Sequence, residues 1–234
     1  MAGTRPTRQI SIARRMHSAE TPAIPPALFV FSLFYGGMVC IAGVLGNKLI
    51  ALGPLTVEGG IFAFLLLVVT SSAVAELYGQ TIATRLVRFG FVPLLGSVLL
   101  IQLLLRIPAA AAMTADPASA ARLSAYALIL SQGARMMVAG LISYGISQSL
   151  NVTIFSWLKG REGARLLWLR AGAASIVSQI VDTLLFVTIS FYGVFPIAGI
   201  MVGQMIAKVL LSAVLVPPLI YLMVALGRRL DEAR

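Results

Sequence analysis

The segment RAGAASIVSQIVDTLLFVTISFYG, residues 170–193, is apolar and long enough to cross a bilayer, yet it carries one carboxylate, Asp182, near its middle. On membrane-insertion scales its ten Val, Ile, Leu and Phe residues, at roughly −0.3 to −0.6 kcal/mol each, outweigh one Asp at about +2.5 to +3.5 kcal/mol. Because an ionisable group inside a membrane is costly, Asp182 marks a candidate functional site with a partner to be found. The segment therefore predicts a membrane helix built around a polar site.

Helical spacing gathers the polar side chains of this segment on one face. Residues three or four positions apart lie on the same side of a helix, and this spacing joins Ser175, Ser178, Gln179 and Asp182. We expect this face to point into the protein rather than toward lipid.

Composition excludes an ordinary soluble domain. The 234 residues are 59% hydrophobic and 11% charged, with a mean hydropathy of +0.96, whereas soluble domains are about 25% charged. The net charge of +10 comes from Lys and Arg grouped between apolar runs, which is typical of membrane topology rather than of nucleic-acid binding. Cys40 is the only cysteine and His17 the only histidine, so we expect no disulfide, no metal site and no cofactor.

Six membrane spans and no other domain are expected in this all-α chain. Residues 1–26 form a basic flexible tail, 27–226 the transmembrane domain and 227–234 a basic C-terminus. Residues 110–133 are broken by Asp116 and Pro117, and they predict an external loop and a short helix. A seventh span at this place is the alternative. The six spans are 28–46, 59–78, 89–105, 134–157, 171–192 and 197–224.

The distribution of positive charge sets the orientation of these spans. Thirteen Lys and Arg residues fall on one side of the six-span topology, and three fall on the other. Positive loops stay in the cytoplasm, so both termini should be cytoplasmic. A seventh span would place the termini on opposite sides, which this distribution opposes. The thirteen are Arg5, Arg8, Arg14, Arg15, Arg85, Arg88, Lys159, Arg161, Arg165, Arg170, Arg228, Arg229 and Arg234.

A second polar stripe follows span four, where Tyr144, Gln148 and Asn151 share one helical face. Two such stripes predict a shared cavity. Lys208 in span six falls at a depth similar to that of Asp182, so the two should pair directly or through a cargo. A purely structural ion pair is the alternative, and intramembrane serines also serve as contacts between helices. Signatures such as HExxH, GxSxG and the Walker loop are absent, which gives an intramembrane enzyme little support.

These motifs together resemble those of the queuosine precursor transporters, also called the vitamin uptake transporter family. The resemblance covers nearly the whole membrane part, and Arg135, Lys208 and Pro217 belong to it as well. Its sequence motifs are GPLTVEGGIFAF (53–64), AELYG (75–79), YGISQSLNVTIFSWLK (144–159), LWLR (167–170), SIVSQIVDT (175–183) and ISFYG (189–193).

The resemblance implies a bacterial inner-membrane uptake transporter and no enzymatic activity. Its cargo would be 7-cyano-7-deazaguanine or 7-aminomethyl-7-deazaguanine, and its six-helix fold would be similar to the substrate-binding subunits of energy-coupling-factor transporters. A binding subunit that depends on an ATPase module is the alternative, and a homodimer stays open. The substrate-binding residues would be Asn47, Glu76, Arg135, Tyr144, Gln148, Asn151, Gln179, Asp182 and Lys208.

The chemistry of these residues suits a guanine-like base. A carboxylate such as Glu76 or Asp182 can accept two hydrogen bonds from its Watson–Crick edge, and an amide can donate to its O6. Aromatic candidates for stacking are Phe62, Phe64, Tyr144 and Phe186.

The chain departs from the family pattern at three positions. Ser72 and Asn151 stand where members commonly carry Asp, and Leu65 replaces a proline. These departures leave the expected fold unchanged, but they bear on the substrate and on proton coupling.

Overall fold

The computed structural model describes residues 24–46, 48–52, 55–131, 134–162, 166–193 and 197–233. Within them lie seven α-helices, one two-stranded hairpin and one short 3-10 helix, Ala111–Met113. The helices are α1 (Pro26–Leu45), α2 (Gly60–Tyr78), α3 (Gln80–Arg106), α4 (Pro117–Leu130), α5 (Ala134–Glu162), α6 (Leu167–Phe191) and α7 (Ile197–Glu232), and the strands are β1 (Leu49–Leu52) and β2 (Leu55–Glu58).

Six of these described helices are long and apolar enough to cross a membrane, which confirms the predicted number of spans. They are α1, α2, α3, α5, α6 and α7. The remaining helix, α4, has 14 residues and is too short to span. It begins at Pro117 with Asp116 as its N-cap, so the short helix expected between residues 110 and 133 is confirmed.

Helix α3 begins at Gln80 rather than at residue 89, where the apolar run starts. Gly79 separates it from α2 with a φ of 88°, a left-handed conformation that glycine adopts without strain. Arg85 and Arg88 lie on exposed positions of the first turns. Hydropathy alone placed the start too late because these polar turns continue the helix beyond its apolar part.

The hairpin before α2 is the element that hydropathy did not predict. Its antiparallel register pairs Leu49 with Glu58 and Leu52 with Leu55, and β2 packs against α7. Each strand has only four residues, which is too short to distinguish from the end of an apolar span.

Helix α2 lies at the centre of the bundle. It packs against α1, α3, α5 and α7, whereas α6 packs mainly between α5 and α7. In the apolar window of α2, 72% of the residues are buried, compared with 17% in α1 and in α3. The most enclosed span is therefore α2, and α6 reaches the centre through its polar face.

Both ends of the described chain lie on one side of the bundle. The backbone N–H of Ala27, at the start of α1, donates to Asp231 Oδ1 near the end of α7 at 3.0 Å. Tyr78, at the end of α2, donates its hydroxyl proton to Asp231 Oδ2. We call this the terminal side, and the other end of the bundle the cavity side. An even number of spans requires this arrangement.

Candidate functional site

A cavity of about 340 Å³ opens in the half of the bundle away from the terminal side. It is lined by the last turns of α1, the first turns of α2, the middle of α3, the end of α4 and the start of α5. Most of its wall is apolar. Polar and aromatic groups concentrate at Phe64, Ser97, Ser143, Tyr144, Asp182, Phe186 and Lys208. Its size and composition are those of a small-molecule site, with a mostly apolar wall and a few converging polar groups.

The charged group in this cavity is the Asp182–Lys208 ion pair. Lys208 Nζ lies 3.1 Å from Asp182 Oδ2, and both side chains are less than a tenth exposed. The Ser147 hydroxyl on α5 donates to Asp182 Oδ1 at 3.3 Å, so three helices meet at one carboxylate. The predicted pairing of Asp182 and Lys208 is confirmed. The pair neutralises two charges that would otherwise each be costly inside a membrane.

Aromatic rings surround the ion pair. Tyr144 OH donates to Tyr35 OH at 2.6 Å, and Phe64 and Phe91 each form a T-shaped contact with the Tyr144 ring. Lys208 Nζ lies 5.7 Å from the centre of the Phe64 ring, where the ring face attracts its charge. Phe62, also expected to stack on a ligand, is 43% exposed and does not line the cavity. The rings that face the cavity are therefore Phe64, Tyr144 and Phe186.

The amide side chains of Gln148 and Asn151 lie in a buried polar layer next to the cavity, toward the terminal side. Ser71 donates its hydroxyl to Gln148 Oε1 at 3.2 Å. Asn151 Nδ2 donates to Ser71 Oγ and to Ser72 Oγ, both at 3.1 Å. We call Ser71, Ser72, Gln148 and Asn151 the amide layer. Gln148 and Asn151 do not line the cavity, so the second polar stripe enters it only through Tyr144.

The polar face predicted on α6 does point into the protein. Ser175, Ser178 and Gln179 are fully buried, and Asp182 is 5% exposed. Of these, only Asp182 lines the cavity. The Gln179 amide, one turn away toward the terminal side, has no hydrogen-bond partner for its nitrogen or its oxygen among the described residues. Gln148 Nε2 and Asn151 Oδ1 are likewise unpartnered within that part of the chain.

Ser72 and Asn151, two of the positions where the chain departs from the family pattern, are in contact with each other. They face one another from α2 and α5 through the Asn151 Nδ2 to Ser72 Oγ hydrogen bond. Two carboxylates at this distance would repel, whereas a hydroxyl and an amide form a neutral hydrogen bond. These two departures from the family pattern therefore meet at one place in the molecule, where they form a neutral contact.

Glu76 lies away from the cavity, at the terminal side of α2. Its Oε2 is 3.2 Å from Lys159 Nζ on α5 and 3.3 Å from Arg170 Nη2 on α6. Lys159 Nζ also donates to the Glu76 backbone carbonyl at 2.7 Å. The structure thus brings Tyr144, Asp182 and Lys208 into the cavity but places Glu76 in a separate charge cluster.

Sequence reasoning missed Lys159 and Arg170 as partners of Glu76. Both are among the thirteen cations from which the orientation was predicted, and the positive-inside rule already accounted for their charges. Full burial of an arginine next to an acidic helix end is the signal that only the structure supplies. Among the other predicted site residues, Asn47 lies outside the described residues, and so does the side chain of Arg135.

Comparison with known proteins agrees with this architecture. A family profile described as "Putative vitamin uptake transporter" matches residues 58–223. A Bacillus subtilis (strain 168) protein named "Probable queuosine precursor transporter" is 36% identical over 63 residues, which cover 26% of this chain and 28% of that protein. The match thus spans under a third of that relative's length, and no solved structure matches the chain. Because the family profile covers well over half of its residues, the chain belongs to the vitamin uptake transporter family.

Proposed function

We propose that this protein takes up a 7-deazaguanine base, a precursor of queuosine, across the bacterial inner membrane. Membership of a transporter family and the name of the Bacillus subtilis relative support this proposal. The observation that carries it is the Asp182–Lys208 pair in an aromatic cavity of about 340 Å³. A neutral, flat base with several hydrogen-bonding groups matches such a site.

The chemistry of the pair fits the Watson–Crick edge of a guanine-like base. The Asp182 carboxylate can accept from the ring N1–H and the exocyclic amine together, and the Lys208 ammonium can donate to O6. Phe64, Tyr144 and Phe186 offer faces or edges to the ring plane. In this proposal the cargo takes over part of the hydrogen bonding that the ion pair now satisfies internally.

The proposed orientation has both termini in the cytoplasm and the cavity open to the outside. Thirteen cations on the terminal side against three on the other support it. A phosphatase active only in the periplasm, fused after Arg234, should be inactive, while a fluorescent protein at the same point should be active. An active phosphatase at Arg234 would contradict this orientation.

The decisive experiment measures both binding and uptake with the purified full-length chain. A 7-deazaguanine base should bind with a measurable heat and accumulate in proteoliposomes that contain this protein alone. Adenine should not compete, because it lacks the N1–H and exocyclic amine pair that Asp182 would accept. Asp182→Asn should lose binding while the protein stays monodisperse. Binding without uptake would indicate a subunit that needs an ATPase module, and equal binding by Asp182→Asn would refute the assigned site.

A further inference from the structure

We propose that Glu76, Lys159 and Arg170 form a gate that closes the cargo pathway on the terminal side. This gate, named here the terminal-side gate, lies at the opposite end of the bundle from the cavity. The inference rests on the proposed function for the identity of what passes, but its geometry and its test need no cargo.

The gate lies at the terminal-side ends of α2, α5 and α6. Glu76 ends the buried part of α2, while Lys159 lies near the end of α5 and Arg170 near the start of α6. One carboxylate oxygen, Glu76 Oε2, lies within 3.2 Å of the lysine and 3.3 Å of the arginine. A single side chain therefore holds three helices together at the point where the pathway would reach the cytoplasm.

Arg170 is incompletely paired within the described residues. Its side chain is fully buried, and its guanidinium lies 5.2 Å from the centre of the Phe155 ring. Its Nε and Nη1 atoms have no hydrogen-bond partner among the described residues. A buried ion pair built only for stability needs all of its donors satisfied. Both fork edges of a guanidinium share Nη2, and here Nη2 reaches one Glu76 oxygen while Nε and Nη1 have no acceptor in the described part of the chain, so the closed contact uses only part of what Arg170 can form.

Four buried polar atoms lie between the cavity and the gate. Gln148 Nε2, Asn151 Oδ1 and both amide atoms of Gln179 are buried without partners in the described part of the chain. Buried polar groups are normally hydrogen-bonded, and each exception calls for an explanation. Entry of water or a polar cargo along α2, α5 and α6 would satisfy these atoms. They therefore mark a pathway that is closed in this conformation.

A separate contact joins three other helices at the same end of the bundle. Asp231 holds the start of α1 and Tyr78 of α2 at the end of α7, and it shares no atom with the gate. In the proposed opening, α5 and α6 move away from α2, while Asp231 keeps α1, α2 and α7 joined. The Asp182–Lys208 pair joins α6 to α7 nearer the cavity. A cargo that competes for Asp182 would weaken this contact and so make the movement of α6 easier.

The test is cysteine labelling of the full-length protein in vesicles without cargo. Ser175→Cys, in a chain whose single native cysteine is removed by Cys40→Ala, places a thiol at a fully buried position between Gln179 and Arg170. A membrane-impermeant maleimide is applied from the terminal side. Adding Glu76→Gln should accelerate labelling at least about tenfold, because loss of one partner from a buried ion pair shifts an equilibrium by more than one factor of ten.

Asp231→Asn is the matched control, since it weakens the other contact at the same end of the bundle and should leave the labelling rate near that of the parent. Lys159→Gln should give a smaller acceleration, because Arg170 still holds Glu76. Equal labelling of the parent and Glu76→Gln would overturn the gate.

Folding and cargo are controlled separately. Native Cys40, which lines the cavity, reports on folding in a Glu76→Gln chain that retains it. Its labelling from the cavity side should not accelerate if the protein is folded, whereas an acceleration there would attribute the Ser175→Cys result to unfolding and overturn the inference. If a 7-deazaguanine base fails to bind but Glu76→Gln still accelerates labelling, the proposed cargo is wrong and the gate stands.

Discussion

Lys208 Nζ lies 3.1 Å from Asp182 Oδ2, and this contact joins α6 to α7 at the wall of the cavity. The contact bears on both stability and the proposed function, because the Asp182 carboxylate balances the buried charge of Lys208 and also lines the cavity. Ser147 donates to the other carboxylate oxygen at 3.3 Å, so a ligand that binds Asp182 must share or replace existing hydrogen bonds.

The pair should show strong coupling in thermal unfolding. Lys208→Met alone leaves the Asp182 carboxylate buried and unpaired, which should cost about 3 to 5 kcal/mol, whereas the double variant Asp182→Asn, Lys208→Met should recover much of that loss. The two single variants and the double variant are compared by melting temperature and by uptake. We expect the double variant to fold and not to transport. A double variant no more stable than the worse single variant would argue against the pairing.

Gln179→Ala should abolish cargo binding without unfolding the protein. The Gln179 amide is fully buried one turn from Asp182 and makes no hydrogen bond within the described residues, so its removal breaks no internal hydrogen bond and takes away two groups that a cargo could use. Ser178→Ala is a matched control, since the Ser178 hydroxyl donates to the Ser175 carbonyl of its own helix at 2.9 Å. Binding is measured by calorimetry on monodisperse protein. Wild-type affinity in Gln179→Ala would assign this face to helix packing.

Gly90→Ala should destabilise the protein and disturb the cavity through Tyr35. A Cβ at residue 90 would lie 2.6 Å from Tyr35 Cε1, and Tyr35 is the hydrogen-bond partner of Tyr144. Because the Tyr35 ring is fully buried, we expect a cost of about 1 to 3 kcal/mol and weaker cargo binding. Gly96→Ala on the same helix has no atom within 4 Å of its added carbon and should be tolerated. Equal melting temperatures for the two variants would contradict this account.

Helix α4 should lose protection against hydrogen exchange in acid. Hydrogen bonds from the Ser119 amide and hydroxyl hold the pKa of Asp116 below its ordinary value of 3.8. Because the pKa of Asp116 is lower in the folded protein than in the unfolded chain, the cap stabilises α4 fully at pH values above the ordinary pKa. This stabilisation is lost as the pH falls through the folded-state pKa. Amide exchange in α4 should thus be faster in Asp116→Ala than in the parent at pH 6, and this difference should shrink at about pH 3. A difference that is the same at both pH values would exclude the carboxylate as its cause.

The fold could be predicted well from sequence, because bilayer thickness and hydropathy constrain each span separately. The six spans, the short helix after Asp116 and the inward face of α6 were all predicted. The errors fall where hydropathy carries no information: the polar first turns of α3 and the four-residue strands β1 and β2. In both places the backbone continues or pairs according to local hydrogen bonding rather than transfer into lipid.

The candidate site could be predicted only in part. Helical spacing identified the polar side chains of α5 and α6, and equal depth along neighbouring spans indicated the Asp182–Lys208 pair. Spacing along one helix cannot say how far a side chain lies from a side chain on another helix. That is why Glu76 was expected beside the cargo, although it binds Lys159 and Arg170 at the other end of the bundle.

The sequence by itself determined the number of spans, the positive charge of the terminal side and the types of side chain buried between helices, because each depends on residues close together in the chain. Tertiary structure alone decided which of these groups share the cavity, which form the amide layer, and that Ser72 and Asn151 meet. Such contacts depend on how far each helix is rotated and shifted along its neighbours, and that is set by packing over the whole bundle.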